Sequence, residues 1–186
     1  WFLKGIAEHD PKLFFDNLST FTSEDGKALK VAYFTGDFGP FHQGHKSVIN
    51  TVDQLKPDID LVFPLVIPHP RVGALTSHFD RQEGGERVRF TQLGLADTAK
   101  AICIPWHLYM DDTNPNTQSL INFVDNKFSV QKPVVQIAGG DSLIRLDQYG
   151  LLDRDHRPRI IVTRPGVTLE GMLTHKSNVA ILENIM

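Results

Sequence analysis

Cysteine is almost absent. Cys103 is the single one in 186 residues, so no internal disulfide can staple the chain, and a packed core must hold it, as in a reducing compartment. The cytoplasm is the expected location. Long apolar runs are missing as well: the longest candidate, Leu61 to Ile67, is interrupted by Pro64 and falls short of the roughly 18 residues of a membrane span. No membrane partner is expected. Nor is there an excess of positive charge, since 19 Lys+Arg face 22 Asp+Glu for a net charge of −3 with histidines neutral. A general nucleic-acid binder needs a basic surface to replace phosphate counterions, so nucleic acid is not an expected partner. Repeats and low-complexity tracts are lacking. Trp1 is preceded by neither a methionine nor a basic-then-apolar leader, so it is expected not to be the true start of a gene product, and both ends are treated as trimmed.

What remains suits one domain with an ample core. Hydrophobic residues make up 41% of the chain, and a globule of this length buries roughly 70% of its unfolded surface. From about residue 30 onward, apolar runs of strand length alternate with helical periodicity, which argues for an α/β fold with a mostly parallel sheet. Strands are expected at 31–34, 61–67, 101–104, 134–137, 159–162 and 178–182. Helical faces are expected from Val48, Ile49, Val52 and Leu55, stopped by Pro57; from Val88, Phe90, Leu93 and Leu95, starting near Glu86; and from Leu120, Ile121, Val124 and Phe128, after an Asn114-Pro115 start. The segment from Pro68 to Gly85 reads as a long irregular loop, of a length that usually carries function. Before residue 30, Asp10 as cap, Pro11, and apolar Leu13, Phe14 and Leu18 predict a short appended helix.

The chemistry concentrates in Gly36-Asp-Phe-Gly-Pro-Phe-His-Gln-Gly-His45. Its glycines let the backbone turn tightly beyond the first strand, and His42 and His45 fall where the next helix begins. A helix N-terminus offers unpaired N–H groups and the positive end of its dipole, so an anion is stabilised there before any side chain acts. Three readings compete. A Walker-type phosphate loop fails on spacing, because His45 separates Gly44 from Lys46-Ser47. A metal site on His42 and His45 needs a third ligand, for which Asp37 and Asp53 are unspecific candidates. A phosphate-binding His-x-Gly-His motif fits every spacing.

Gly36-x-Phe-x-Pro-x-His-x-Gly-His45 resembles the motif of the nucleotidyltransferase superfamily. Further along, Glu86-Arg-Val-Arg-Phe90, Asn116-Thr-Gln-Ser-Leu120, Gly139-Gly-Asp-Ser-Leu143 and Arg164-Pro-Gly166 are similar to segments of the bacterial nicotinate-mononucleotide adenylyltransferases. The resemblance covers about residues 30 to 186. It implies a Rossmann-like, three-layer α/β/α nucleotidyltransferase domain over 30–186, with 1–29 as a helical extension packed on it. It also implies transfer of the adenylyl group of ATP to nicotinate mononucleotide, with pyrophosphate released. The nucleophile of that reaction is already anionic, so positioning and charge stabilisation supply the acceleration.

By the same resemblance, His42 and His45 are the catalytic pair that holds ATP phosphates, and Mg²⁺ accompanies the triphosphate. Thr35, Gly36, Asp37, Phe38, Gly139 and Asp141 would complete the ATP side. Arg87, Trp106, Tyr149 and Arg164 would serve the acceptor, Tyr149 by stacking on its pyridine ring. The remaining histidines, His9, His69, His78, His107, His156 and His175, read as ordinary surface or core residues. Arg87 can equally be a solvated helix face, and Cys103 reads as inert packing. Two departures from the family pattern stand out. Asp37 puts a carboxylate in the phosphate cradle, which Lys46 or Arg71 would have to offset. A Ser-Ser-Thr-x-x-Arg segment that should follow the sixth strand is not reached before Met186, so the domain is expected to be truncated there. Two rival functions remain: a sister transferase acting on nicotinamide mononucleotide or phosphopantetheine, and a catalytically silent nucleotide-binding module.

Overall fold

The computed structural model describes residues 2–36, 38–66, 84–103, 105, 119, 122, 123, 126, 134–140, 158–163 and 179–183. In chain order these form α1 (Phe2–His9), α2 (Pro11–Asp16), a single 3₁₀ turn (Leu18–Thr20), β1 (Val31–Gly36), α3 (Gln43–Leu55), β2 (Leu61–Val66), α4 (Gly84–Gly94), β3 (Val135–Gly139), β4 (Arg159–Thr163) and β5 (Val179–Glu183). The strands lie in the order β2-β1-β3-β4-β5, and every neighbouring pair is parallel. This is the parallel α/β sheet that the alternation of strand and helix predicts, in the Rossmann-like form that the family resemblance implies.

Parallel strands are covered on both faces, so they read as unbroken apolar runs. Val31 to Phe34 and all six residues of β2 are buried accordingly. On α3, Ile49 and Val52 are buried, whereas Leu55 at the last turn is 42% exposed. The helix ends as Lys56 donates its backbone N–H to the Val52 carbonyl at 2.8 Å, just before Pro57.

Of the third expected strand, 101–104, the described residues, 101–103, keep one bridge, between Ala101 and Val62. Pro64 explains the loss. Val62 donates to the Lys100 carbonyl at 2.9 Å and accepts from the Ile102 N–H at 3.0 Å. The next rung would need an N–H from residue 64, which proline lacks. Even so, the bridge places this segment outside β2, so the sheet follows the doubly wound order in which the chain runs outward from β1 and then returns to its other side.

α4 also departs from expectation. It begins at Gly84 rather than near Glu86, and Phe90 and Leu93 are 44% and 65% exposed. The inward face is instead Arg87, Val88, Thr91 and Leu95, each at most 1% exposed. Two of those four are polar, so a search for apolar periodicity picks the wrong stripe. Residues 119, 122, 123 and 126 are helical, and Phe123 packs against the core. The Asn114-Pro115 start and the rest of that expected helix lie outside the described residues.

The N-terminal segment shares the same core. Asp10 caps α2, its carboxylate accepting the Leu13 N–H at 2.9 Å. Phe14 is fully buried and stacks on Phe21 with ring centroids 5.5 Å apart. α1, which no sequence pattern announced, brings in Lys4, 8% exposed. Its ammonium donates to the carbonyls of Leu95 (2.5 Å), Ala96 (3.2 Å) and Thr98, beyond the last turn of α4, where carbonyls lack helical partners; that of Leu95 also accepts the Thr98 N–H and hydroxyl. Burial pushes the Lys4 ammonium below its ordinary range, partly offset by Glu8.

Candidate functional site

In doubly wound sheets, ligands bind at the carboxyl ends of the strands, where the chain reverses its direction across the sheet. Here that point lies between β1 and β3. Ala32 pairs with Val135 and Phe34 with Ile137, so Gly36 and Gly139, each two residues further along its strand, leave the sheet side by side. Thr35 and Gly36 are half-buried at this edge. Gly36 has to be glycine: a Cβ there would stand 2.8 Å from the Phe38 ring.

Phe38 takes a left-handed backbone, φ +46°, at a cost of about 1 kcal/mol for a non-glycine residue. Burial of its ring to 2% exposure offsets that cost. The Gly39-Pro40 peptide is cis, and His42, extended at φ −130° and ψ 173°, caps α3. Its Nδ1 accepts the Gly44 N–H at 3.1 Å, and its own backbone N–H donates to Nδ1 of His45 at 3.3 Å. The two imidazoles therefore form a reciprocal capping box in which histidine replaces the usual hydroxyl and carboxylate partners.

This arrangement fixes chemistry as well as structure. A ring nitrogen that accepts a hydrogen bond carries no proton, so the neutral form of each ring bears its proton on Nε2. Two Nε2–H donors thus sit at the positive end of α3, on rings whose centroids are 3.8 Å apart and inclined by 24°. Around His45 stand Phe38 (5.0 Å, edge-on at 88°), Phe41 (5.5 Å) and Phe34 (6.2 Å). Burial, with the neighbouring His42 as a lesser cause, lowers the His45 pKa to about 4. His45 is consequently uncharged at neutral pH and acts as a hydrogen-bond donor rather than as a cation. Paired donors of this kind, with the unpaired N–H groups of a helix start, suit an anionic, multi-oxygen group such as a phosphate.

Of the predicted site residues, Thr35, Gly36, Phe38, His42 and His45 converge on this loop, with Gly139 on the adjoining strand end. Asp37, Asp141, Trp106, Tyr149 and Arg164 lie outside the described residues. Arg87 is 1% exposed, and its carbonyl accepts the Thr91 hydroxyl at 2.8 Å. The solvated-face reading of Arg87 is thereby overturned, because helical geometry puts it on the same side as Val88 and Thr91. Lys46 does not lean into the cradle to offset a carboxylate; its ammonium sits against both Asp97 oxygens at 2.5 and 2.6 Å. The metal reading finds no support among the described residues. No three metal-ligating side chains cluster there, both Nδ1 atoms are engaged, and Asp53 pairs with Lys100 at 3.4 Å, about 12 Å further along the helix. Sequence reasoning missed Phe41 as a wall of His45, although the spacing Phe34, Phe38, Phe41 around the turn was visible.

No family model matches the chain. A protein named probable nicotinate-nucleotide adenylyltransferase, from Baumannia cicadellinicola subsp. Homalodisca coagulata, is 26% identical over 161 residues, covering 82% of this chain and 69% of the relative. Among solved structures, Plasmodium falciparum nicotinic acid mononucleotide adenylyltransferase complexed with NaAD superposes with a TM-score of 0.60 at 14% identity, over 85% of this chain and 76% of that one. The same enzyme complexed with APC gives 0.56 at 13% identity, over 84% and 75%. The chain resembles these adenylyltransferases in sequence and shares their fold. In that fold, the Gly36 to His45 loop occupies the switch point of the sheet. No helix among the described residues is long and apolar enough to cross a membrane.

Proposed function

We propose that the chain transfers the adenylyl group of ATP to nicotinate mononucleotide, giving deamido-NAD and pyrophosphate, a step of NAD synthesis. The observation that carries this reading is the His42–His45 capping box at the switch point, which fixes two Nε2–H donors at a helix start. The sequence relative supports the choice of acceptor. An oxygen of the mononucleotide phosphate attacks the α-phosphorus of ATP, and the bond from that phosphorus to the bridging oxygen breaks as pyrophosphate departs. Negative charge grows on the bridging and β-phosphoryl oxygens. His42 and His45 donate to those oxygens, and because both are aligned beforehand, little reorganisation is needed as the charge develops.

Thr35, Gly36, Phe38 and Gly139 line the nucleotide side with backbone, and Asp141 is assigned to it by the family resemblance alone. Arg87, Trp106, Tyr149 and Arg164 are assigned to the acceptor. Mg²⁺ enters as part of the substrate, on the triphosphate. The reading also places the protein in the cytoplasm, where the thiol of Cys103 stays reduced.

The test is to mix the protein with Mg-ATP and either nicotinate or nicotinamide mononucleotide, and to follow pyrophosphate and dinucleotide. Turnover with nicotinate mononucleotide supports the assignment. Turnover with the amide alone, or ATP binding with no turnover on either acceptor, overturns it in favour of another acceptor or a silent nucleotide-binding module.

A further inference from the structure

The last residue of α4 and the turn that follows it touch the histidine loop on either side of His45. Before it, the Phe41 ring lies against Gly94: a Cβ on that glycine would come within 2.3 Å of Cδ1 of Phe41. The same ring stands 5.5 Å from the His45 ring at 32°. After it, Lys46 reaches Asp97 through both carboxylate oxygens. The turn itself is held from behind by Lys4, whose ammonium gathers the carbonyls of Leu95, Ala96 and Thr98. Glu8 stands 3.6 Å from that ammonium. α1, the end of α4 with its following turn, and the first turn of α3 are thus linked, and of these contacts the Phe41 ring reaches the His45 imidazole.

We propose that Gly94, Asp97 and Lys4 are positioning residues: they set the orientation of the His45 imidazole, Gly94 through Phe41, Asp97 through Lys46, and Lys4 by fixing the turn that follows Gly94 and carries Asp97. None of the three is placed among the groups that touch substrate. The physical ground is that His45 rests on a 3.3 Å bond from the His42 N–H and on aromatic walls, so its ring angle follows the walls. Of these walls, Phe34 belongs to β1 and Phe38 to the loop itself, whereas Phe41 is backed by another element. A side chain at position 94 displaces that ring, and the imidazole turns with it.

The inference rests on the proposed transferase only for its kinetic readout, so two measurements are paired. The first is a long-range proton–nitrogen NMR correlation of the imidazoles in the intact protein, which reads tautomer and ring environment without substrate. The second is steady-state pyrophosphate release with Mg-ATP and nicotinate mononucleotide. Gly94→Ala, Asp97→Asn and Lys4→Met are expected to shift the His45 ring resonances and mix its tautomers. They are expected to lower kcat by about tenfold, less than the roughly hundredfold cost of removing a donor, with KM for ATP little changed. Asp97→Glu should restore both readouts. Asp97 is exposed, so its variants remain informative if Gly94→Ala does not fold. Unmoved His45 resonances in folded Asp97→Asn and Lys4→Met overturn the inference, whether or not kcat falls. Shifted resonances in a protein whose wild type turns over no acceptor uphold the positioning and defeat the transferase reading instead.

Discussion

The ring of His42 lies 3.8 Å from that of His45, nearly parallel to it, and each takes part in the other's backbone cap. Neither side chain can be exchanged without disturbing helix and donor together, and this mutual dependence shapes the first two predictions.

Replacing His42 by alanine removes the acceptor for the Gly44 N–H and should destabilise the protein by about 1 kcal/mol, as for loss of a helix cap. Asparagine at the same place offers a side-chain oxygen to the same N–H and should recover most of that loss, measured as the midpoint of urea unfolding. It does not reproduce the Nε2–H, so pyrophosphate release should stay low in both variants. Full turnover by His42→Asn would remove His42 from the chemistry and leave it a cap.

His45→Ala should lower kcat by about a hundredfold or more, the range for losing one donor to developing charge. Wild-type kcat should show no inflection from His45 between pH 6 and 8, because its pKa lies near 4. A sharp rise in rate as His45 takes up a proton in that range would contradict the neutral-donor geometry.

Stability should depend on His45 in a defined window. Its folded pKa of about 4 lies below the unfolded value near 6.5, so the unfolded chain binds the extra proton. The contribution is complete above pH 6.5, declines as pH falls toward 4, and changes no further below that. The carboxylates of Asp25, Asp58 and Asp97, all held below their usual range by lysine partners, add their losses at lower pH. Thermal unfolding of wild type and His45→Gln between pH 4 and 7 should therefore converge toward the acid end.

Phe14→Ala should cost about 3–5 kcal/mol, the range for truncating a buried phenylalanine, and Asp10→Ala about 1 kcal/mol. Both are read by denaturant unfolding. If Phe14→Ala costs less than 1 kcal/mol, the segment before β1 does not share the core.

Cys103 is 4% exposed, and burial raises its thiol pKa, so a disulfide-exchange reagent should leave it untouched in the native protein and label it once denaturant unfolds the chain. Rapid native labelling would mean that the strand-edge segment around it opens.

Much of this could be read in the residues because the forces are local. β1 and β2 were legible as unbroken apolar runs since both of their faces are covered. The Gly36 to His45 loop was legible since a tight turn, a left-handed position and a helix start must be neighbours in sequence. The rest depends on partners far along the chain. Pro64 ends the pairing of a segment some forty residues later, and no local pattern carries that. Arg87 and Thr91 hide on the inward side of α4 while Phe90 and Leu93 face out, so hydrophobicity pointed the wrong way. That each histidine caps with Nδ1 was implicit in their spacing of three, but only the extended backbone of His42 reveals it.

Lys4 and its acceptor at Leu95 are 91 residues apart, and this separation orders events during synthesis. At about 5–20 residues per second, Lys4 exists for roughly 5 to 20 seconds before its acceptor carbonyls are made. Eight residues are too few to hold a helix in water unaided, so α1 spends that interval as unpaired chain. It is made before α4, yet it settles only after α4 is complete, and hydrogen exchange at the turn behind α4 would date its arrival.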